Sequence, residues 1–109
     1  MEYKLIYHDS VLRTLEEIYY YILNNFQSEQ SAKNKIADLY SNLEVLKTFP
    51  EAGFCADEKF GKVIDKRYIT RGIALGREYI ALYFIDKENM TVVITHLLPT
   101  RTDYLKIFR

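Results

Sequence analysis

Hydrophobic residues along this chain change their period, and the changes divide it into elements. Tyr3 to His8 is a short run rich in Tyr and Ile, the residue types that suit a pleated surface, and it predicts a first strand. Val11, Leu12, Leu15, Ile18, Tyr19, Ile22 and Phe26 then recur at three- and four-residue steps. Arg13, Glu16 and Glu17 fall between them, which predicts an amphipathic helix over 10–25. Asp9 or Ser10 is placed to cap it, because either side chain accepts a bond from an unpaired backbone N–H. Residues 24–28 break the pattern, and Ser28 or Ser31 is placed to cap a second helix. Its apolar stripe is Ala32, Ile36, Leu39, Tyr40, Leu43 and Leu46. Pro50 ends it, since the ring removes a donor and disfavours helix at the residue before. Two amphipathic helices joined by so short a link form an antiparallel hairpin.

Residues 50–61 read as a loop, with Gly53, Gly61 and the charged Asp57-Glu58-Lys59. After it the period becomes that of strands. Arg67 to Leu75 is one β-type run, Gly76 and Arg77 mark a turn, and Tyr79 to Ile85 is the clearest strand of the chain. Asp86-Lys87-Glu88-Asn89 is a polar turn, and Met90 to Leu98 is the next strand, stopped by Pro99. Short loops between successive strands predict an antiparallel meander. Asp103 to Phe108 predicts a short terminal helix. The helix stripes must be buried, and the sheet offers the only large apolar surface to receive them. The expected fold is therefore α+β: an N-terminal strand, an antiparallel helix hairpin, then a three-stranded antiparallel meander, forming one sheet with helices on one face. Residues 1–109 are expected to form a single domain, since the length leaves no room for a second core.

Composition narrows the chemistry. Ten Tyr and six Phe supply large buriable surfaces, which argues against disorder. Fifteen basic and fifteen acidic residues cancel, so no global field recruits nucleic acid. The distribution is tilted, however: residues 1–54 hold five Lys/Arg against eight Asp/Glu, and residues 55–109 hold ten against seven. An anionic partner is expected to meet the second half. A lone cysteine, Cys55, excludes an internal disulfide and suits a reducing compartment. No signal-peptide pattern opens the chain and no stretch reaches the roughly 20 apolar residues of a membrane span, so a cytoplasmic protein without membrane contact is expected. With His8 and His96 the only histidines, no Cys cluster, no Gly-rich phosphate loop and no serine elbow, no cofactor or metal is expected.

Several segments, in order, carry a resemblance. Leu15-Glu16-Glu17-Ile18-Tyr19-Tyr20-Tyr21-Ile22 looks like an acidic-aromatic first helix. Leu46-Lys47-Thr48-Phe49-Pro50-Glu51-Ala52-Gly53 is similar to a helix-ending "L-x-x-F-P-E-x-G". Tyr79 through Tyr83 sits where a "Y-R-x-x-Y" strand belongs, and His96, Arg101, Asp103 and Tyr104 resemble an "H-x-R-x-D-Y" ending with extra residues after the histidine. Together these resemble the RelE/ParE toxin superfamily of type II toxin–antitoxin systems, over nearly the whole chain and closer to its ParE-like branch. The resemblance implies a growth-inhibiting, stress-response toxin with a cognate antitoxin, and contact with DNA only indirectly through that antitoxin. In such pairs a flexible antitoxin segment wraps the toxin. Here it is expected on the helix-hairpin stripe and the basic second half.

The two branches imply different chemistry. A RelE-like toxin cuts messenger RNA on the ribosome without a metal, which needs an activated 2′-OH, a protonated leaving oxygen and cations around the phosphate. The candidates for that catalysis are Arg67, Arg71, His96, Arg101 and Tyr104, with Lys62, Lys66 and Arg77 as substrate- or target-binding cations. If Arg67 and Arg71 share a strand, their even spacing points both to one face. Each has a structural reading beside the functional one. His96 lies in an apolar strand and suits a hydrogen-bonded structural role. Arg67 and Arg71 can pair with Asp65, Glu78 or helix carboxylates. Tyr79 and Tyr83, on one strand face with Ala81, read as packing, and Tyr19-Tyr20-Tyr21 must leave at least one ring exposed. Where an RNA-cutting relative carries arginine in the strand motif, this chain has Ile80. That favours a ParE-like toxin that inhibits growth by binding an essential target, DNA gyrase by analogy. The alternatives are a RelE-like ribosome-dependent endoribonuclease, and a degenerate, non-toxic relative that only binds its antitoxin and helps to regulate their operon.

Overall fold

A computed structural model describes residues 2–101 of the 109. Tyr104 and the terminal helix expected over 103–108 lie outside the described residues. In chain order the elements are β1 (Lys4–Tyr7), α1 (Asp9–Phe26), α2 (Glu29–Thr48), β2 (Phe54–Cys55), α3 (Ala56–Phe60), β3 (Arg71–Leu75), β4 (Tyr79–Asp86) and β5 (Thr91–Pro99). They form one mixed sheet in the order β1-β5-β4-β3-β2. The meander β3–β4–β5 is antiparallel as expected, and β1 joins it parallel to β5, with Lys4 opposite Thr91 and Tyr7 opposite Ile94.

The helix pair buries its stripes on this sheet. Val11, Leu15 and Ile18 of α1 and Leu39, Leu43 and Leu46 of α2 pack against Ala81 and Tyr83 of β4 and Val92, Ile94 and Leu97 of β5. Each such aliphatic side chain contributes roughly 1.5–3 kcal/mol when fully buried. The start of α1 differs from expectation. Its N-cap is His8, whose side chain makes no capping bond. The His8 N–H donates to the Ile94 carbonyl at 3.0 Å, continuing the β1–β5 ladder, so the helix opens at once with Asp9 and Ser10 inside it. The Ser10 hydroxyl instead reaches the Thr95 carbonyl at 3.3 Å. At α2 the expected cap is present: Ser28 Oγ accepts the Ser31 N–H at 3.1 Å.

Residues 50–61, expected as a loop, contain β2 and the single-turn helix α3. Both depend on contacts distant in sequence. The Asp57 carboxylate accepts the N–H groups of Ile64 and Thr70 at 3.1 and 3.3 Å, and the segment folds back over the sheet face that α1 and α2 leave open. There Ala56, Ile80 and Leu82 form a second apolar cluster, flanked by Phe54, Phe60, Ile64 and Leu98. The run expected over 67–75 is a strand only from Arg71. Before it the Arg67 N–H turns onto the Asp65 carboxylate at 2.8 Å, and Tyr68 stacks on Phe84 with ring centroids 4.3 Å apart. Arg67 and Arg71 therefore do not share a strand.

Between β4 and β5 the register slips: Leu82 pairs with His96 but Tyr83 with Ile94, leaving Thr95 unpaired as a bulge. The bulge lets Ile94 and Leu97 both face the helices, and it turns His96 to the opposite face beside Leu82.

Among the glycines the tightest approach is at Gly53, just before β2, where a Cβ would overlap the Gly72 carbonyl and come within 2.8 Å of the Tyr83 hydroxyl. Gly53→Ala is expected to cost about 1–3 kcal/mol, because backbone must move to admit the methyl. Urea denaturation checks this: the midpoint falls while the slope with urea is unchanged.

Candidate functional site

The residues leaving α2, Phe49 to Gly53, are fixed from beneath by two side chains of the meander. Tyr83, fully buried on β4, donates its hydroxyl to the Pro50 carbonyl at 2.7 Å and accepts the Gly53 N–H at 3.1 Å. Arg71, at the start of β3, donates Nη2 to the carbonyls of Gly53 at 2.7 Å and Glu51 at 3.1 Å. Its Nε is buried with no hydrogen-bond partner. Burial pushes the Tyr83 phenol above its ordinary value of 10.0, against the opposing pull of the Gly53 N–H and the Arg71 charge. Tyr83 is thus a neutral hydrogen-bonding group at any physiological pH.

Above this tie the surface is hollowed. A groove of 690 Å³ runs past Phe49, Pro50 and Ala52, with Tyr3 and Ile85 as its other apolar walls. Phe49 is 64% exposed on its rim. A smaller recess of 310 Å³ adjoins it, walled by Arg67, Tyr68, Ile69 and Arg71. Glu51, Ile85 and Lys87 line both. Lys87 and Glu51 pair at 3.5 Å across the boundary, with both side chains largely in solvent. This joined hollow, apolar at one end and cationic at the other, is the candidate site.

The sequence-derived candidates are divided by the fold. Arg67 and Arg71 meet in the recess although they do not share a strand. Arg67 is mostly exposed, 3.8 Å from Asp65 and over the Tyr68 ring at 6.0 Å. Arg77, in the β3–β4 turn, and Arg101, just past β5, lie at the opposite end of β4 from Lys87. The Arg77 carbonyl is held by the Thr100 hydroxyl at 2.7 Å. Lys62 and Lys66 stand between α3 and β3, with the Lys62 N–H closing onto the Asp57 carbonyl at 3.1 Å and Lys66 exposed. His96 sits on the face away from α1 and α2, its Nδ1 2.9 Å from the Thr95 hydroxyl. Burial lowers its pKa below the ordinary 6.5, and the charge of His8 adds to the effect. Ile80 is 7% exposed within the second apolar cluster, so the position expected to hold a cation in an RNA-cutting relative is sealed in hydrocarbon here.

Phe49 and Lys87 are among the residues of the hollow that sequence reasoning misses. In the sequence Phe49 belongs to a helix-ending motif and Lys87 to a polar turn. The one available signal was that Phe49 follows Val45 by four residues, off the buried stripe of α2. Tyr20 and Tyr21 are both exposed, as three consecutive helical aromatics require. Most of the hairpin stripe is buried on the sheet, while Leu12 and Phe26 of α1 remain exposed. Among the described residues no group of three or more His, Cys, Asp or Glu is placed to hold a metal ion. No helix is long and apolar enough to cross a membrane.

Compared with known proteins, residues 5–104 match the family model described as ParE toxin of type II toxin-antitoxin system, parDE. No individual curated protein matches the sequence.

Tyr83→Phe removes one hydroxyl but strands two buried backbone groups, so it is expected to cost about 1–3 kcal/mol in urea denaturation. A change within a few tenths of wild type would show that the tie holds nothing. His96 gives a pH signature. A histidine held neutral by the fold is protonated first in the unfolded chain. Its contribution is therefore complete above the ordinary value of 6.5 and is lost as pH falls from there through the lowered folded value. His96→Gln is expected to lose less stability than wild type between about pH 7.5 and pH 5.5, measured as the shift in urea midpoint.

Proposed function

The chain belongs to the ParE toxin family of type II toxin–antitoxin systems, and from that membership we propose that it restrains growth in the cytoplasm by binding an essential target, not by cutting RNA. DNA gyrase is the candidate target that the resemblance to ParE supplies. The family pairs each toxin with a cognate antitoxin, and the expected contact of this toxin with DNA runs through that partner.

The observation that carries the reading is dispersal, among the described residues, of the cations and of His96. Metal-free RNA cleavage needs a base, an acid and phosphate-binding cations within hydrogen-bond reach of a single phosphate. Arg71 is spent on the Glu51 and Gly53 carbonyls. Arg77 and Arg101 are at the far end of the sheet from Arg67, and His96 is on the face away from the helices, held beside the Thr95 hydroxyl. Ile80 occupies buried apolar surface where a catalytic cation belongs. A target-binding toxin needs none of these to converge. It needs a firm surface, and the Tyr83 tie beneath the Phe49 groove supplies one.

Induced expression without any antitoxin is expected to produce filamentation and DNA-damage signalling while transcripts stay intact, and the purified protein is expected to inhibit supercoiling by gyrase. Rapid, translation-dependent cleavage of messenger RNA overturns this reading. Unimpaired growth at high expression overturns it in favour of a protein that only binds its antitoxin.

A further inference from the structure

We propose that this chain self-associates head to tail: the loop over 61–70, between α3 and β3 of one copy, seats in two joined acidic-aromatic hollows beside α1 of the next. The proposal goes beyond the choice of cellular target and does not depend on it.

The hollows share Glu17 and Tyr21 as walls. One, of 530 Å³, lies between α1 and the sheet, with Tyr79 and Leu97 on its strand side. The other, of 390 Å³, runs along α1 past Glu16 and Tyr20, with Arg13 as the one cation among its described walls. Tyr21 is 63% exposed. Tyrosine rings beside carboxylates, with hydrocarbon behind them, suit a lysine. Its ammonium is drawn to the ring faces and the carboxylates, while its four-carbon stem covers apolar surface. Tyr79 already shows this preference: Lys35 Nζ, paired with Glu78 at 3.4 Å, also stands 5.7 Å from the Tyr79 ring centre.

The matching surface is on the same molecule. Asp57 and Asp65 are turned onto backbone N–H groups of the loop, Asp57 onto Ile64 and Thr70 and Asp65 onto Arg67. What the loop presents outward is Lys66, with Val63 and Ile69 exposed at 65% and 64%. Among the described residues Lys62 and Lys66 have no ion pair, and neither do Glu16 and Glu17. The complementarity extends over the chain, with eight acidic against five basic residues over 1–54 and ten basic against seven acidic over 55–109. A net charge of zero also removes the repulsion that keeps identical copies apart. Nucleic acid suits this pair of surfaces less well, because the hollows carry carboxylates and the loop carries bare aliphatic groups.

The two surfaces lie on opposite faces of the sheet. α1 covers one face, and the loop lies on the other, with Ile64 beside Ile80 and Leu82 and Tyr68 stacked on Phe84. A two-fold pair cannot make both contacts at once. The contact is therefore heterologous, and it leaves a free surface at each end for the next copy.

Sedimentation of the purified full-length chain tests this. The weight-average mass is expected to rise with concentration beyond that of a dimer, and to fall towards that of the monomer between about 50 mM and about 1 M salt. Glu17→Lys on α1 and Lys66→Ser in the loop, both at exposed positions, are each expected to weaken association about tenfold or more. Mixed in equal amounts, the two variants are expected to form a 1:1 pair of wild-type strength that grows no further, because each supplies one intact surface. Val45→Ser, exposed on α2, is expected to change nothing. A monomer at every concentration, which leaves these surfaces to another partner or to solvent, overturns the proposal. So does a closed dimer, association indifferent to both substitutions or to salt, or a mixture of the variants that does not pair.

Discussion

Tyr83 is buried at the centre of β4 with its hydroxyl satisfied on both sides, by the Pro50 carbonyl and the Gly53 N–H. A buried phenol left unpaired costs about 1–3 kcal/mol, so the end of α2 must lie where these two backbone groups can reach it. That requirement propagates. Gly53 has to be glycine because the chain passes against Gly72 and the Tyr83 oxygen. Gly72 is itself under Phe54, whose ring leaves no room for a Cβ. β2 then pairs with β3 through Phe54–Gly72 and Cys55–Arg71, which brings the Arg71 guanidinium onto the same carbonyl segment. Helix exit, sheet edge and arginine are all positioned by one side-chain oxygen.

The same tie decides what the surface offers. With Pro50 to Gly53 drawn down onto the sheet, Phe49 has no core to enter, and the groove beside it cannot collapse. Arg71, which in isolation looks like a free cation for phosphate, acts first as a clamp. Lys87 arrives from the β4–β5 turn, and its exposed pairing with Glu51 joins the apolar and cationic halves.

The parts of this arrangement that were legible in the sequence are those that repeat. α1 and α2 run 18 and 20 residues, long enough for a 3.6-residue period to declare itself. β4 and β5, with eight and nine residues and clear turns between, were equally plain. β2 and α3 have two and five residues, too few for any period, and exist because Phe54, Phe60 and Ile64 find Ile80, Leu82 and Leu98. The motif ending α2 and the strand holding Tyr83 were each recognisable by resemblance. The hydrogen bonds that join them span 30 and 33 residues, and no local pattern records them. Arg71 was picked out for its charge, but its binding to backbone is a tertiary fact. Lys87 carries no signal, because a lysine in a turn is ordinarily just solvated.

The parallel pairing of β1 with β5 has a consequence in time. β5 lies between β1 and β4, and α1 begins against it through the His8 and Ser10 bonds to Ile94 and Thr95. Contacts of such long sequence separation form late, after the entropy of closing a large loop has been met. On the ribosome, where chains grow at roughly 5–20 residues per second, the hairpin of helices waits with its apolar stripes uncovered until the last strand has emerged. A chain cut short before Thr91 has no seat for β1 or for the start of α1. The sheet, and with it the surface beside Phe49, is completed only once β5 has been made, so termination before Thr91 yields fragments that lack the assembled fold.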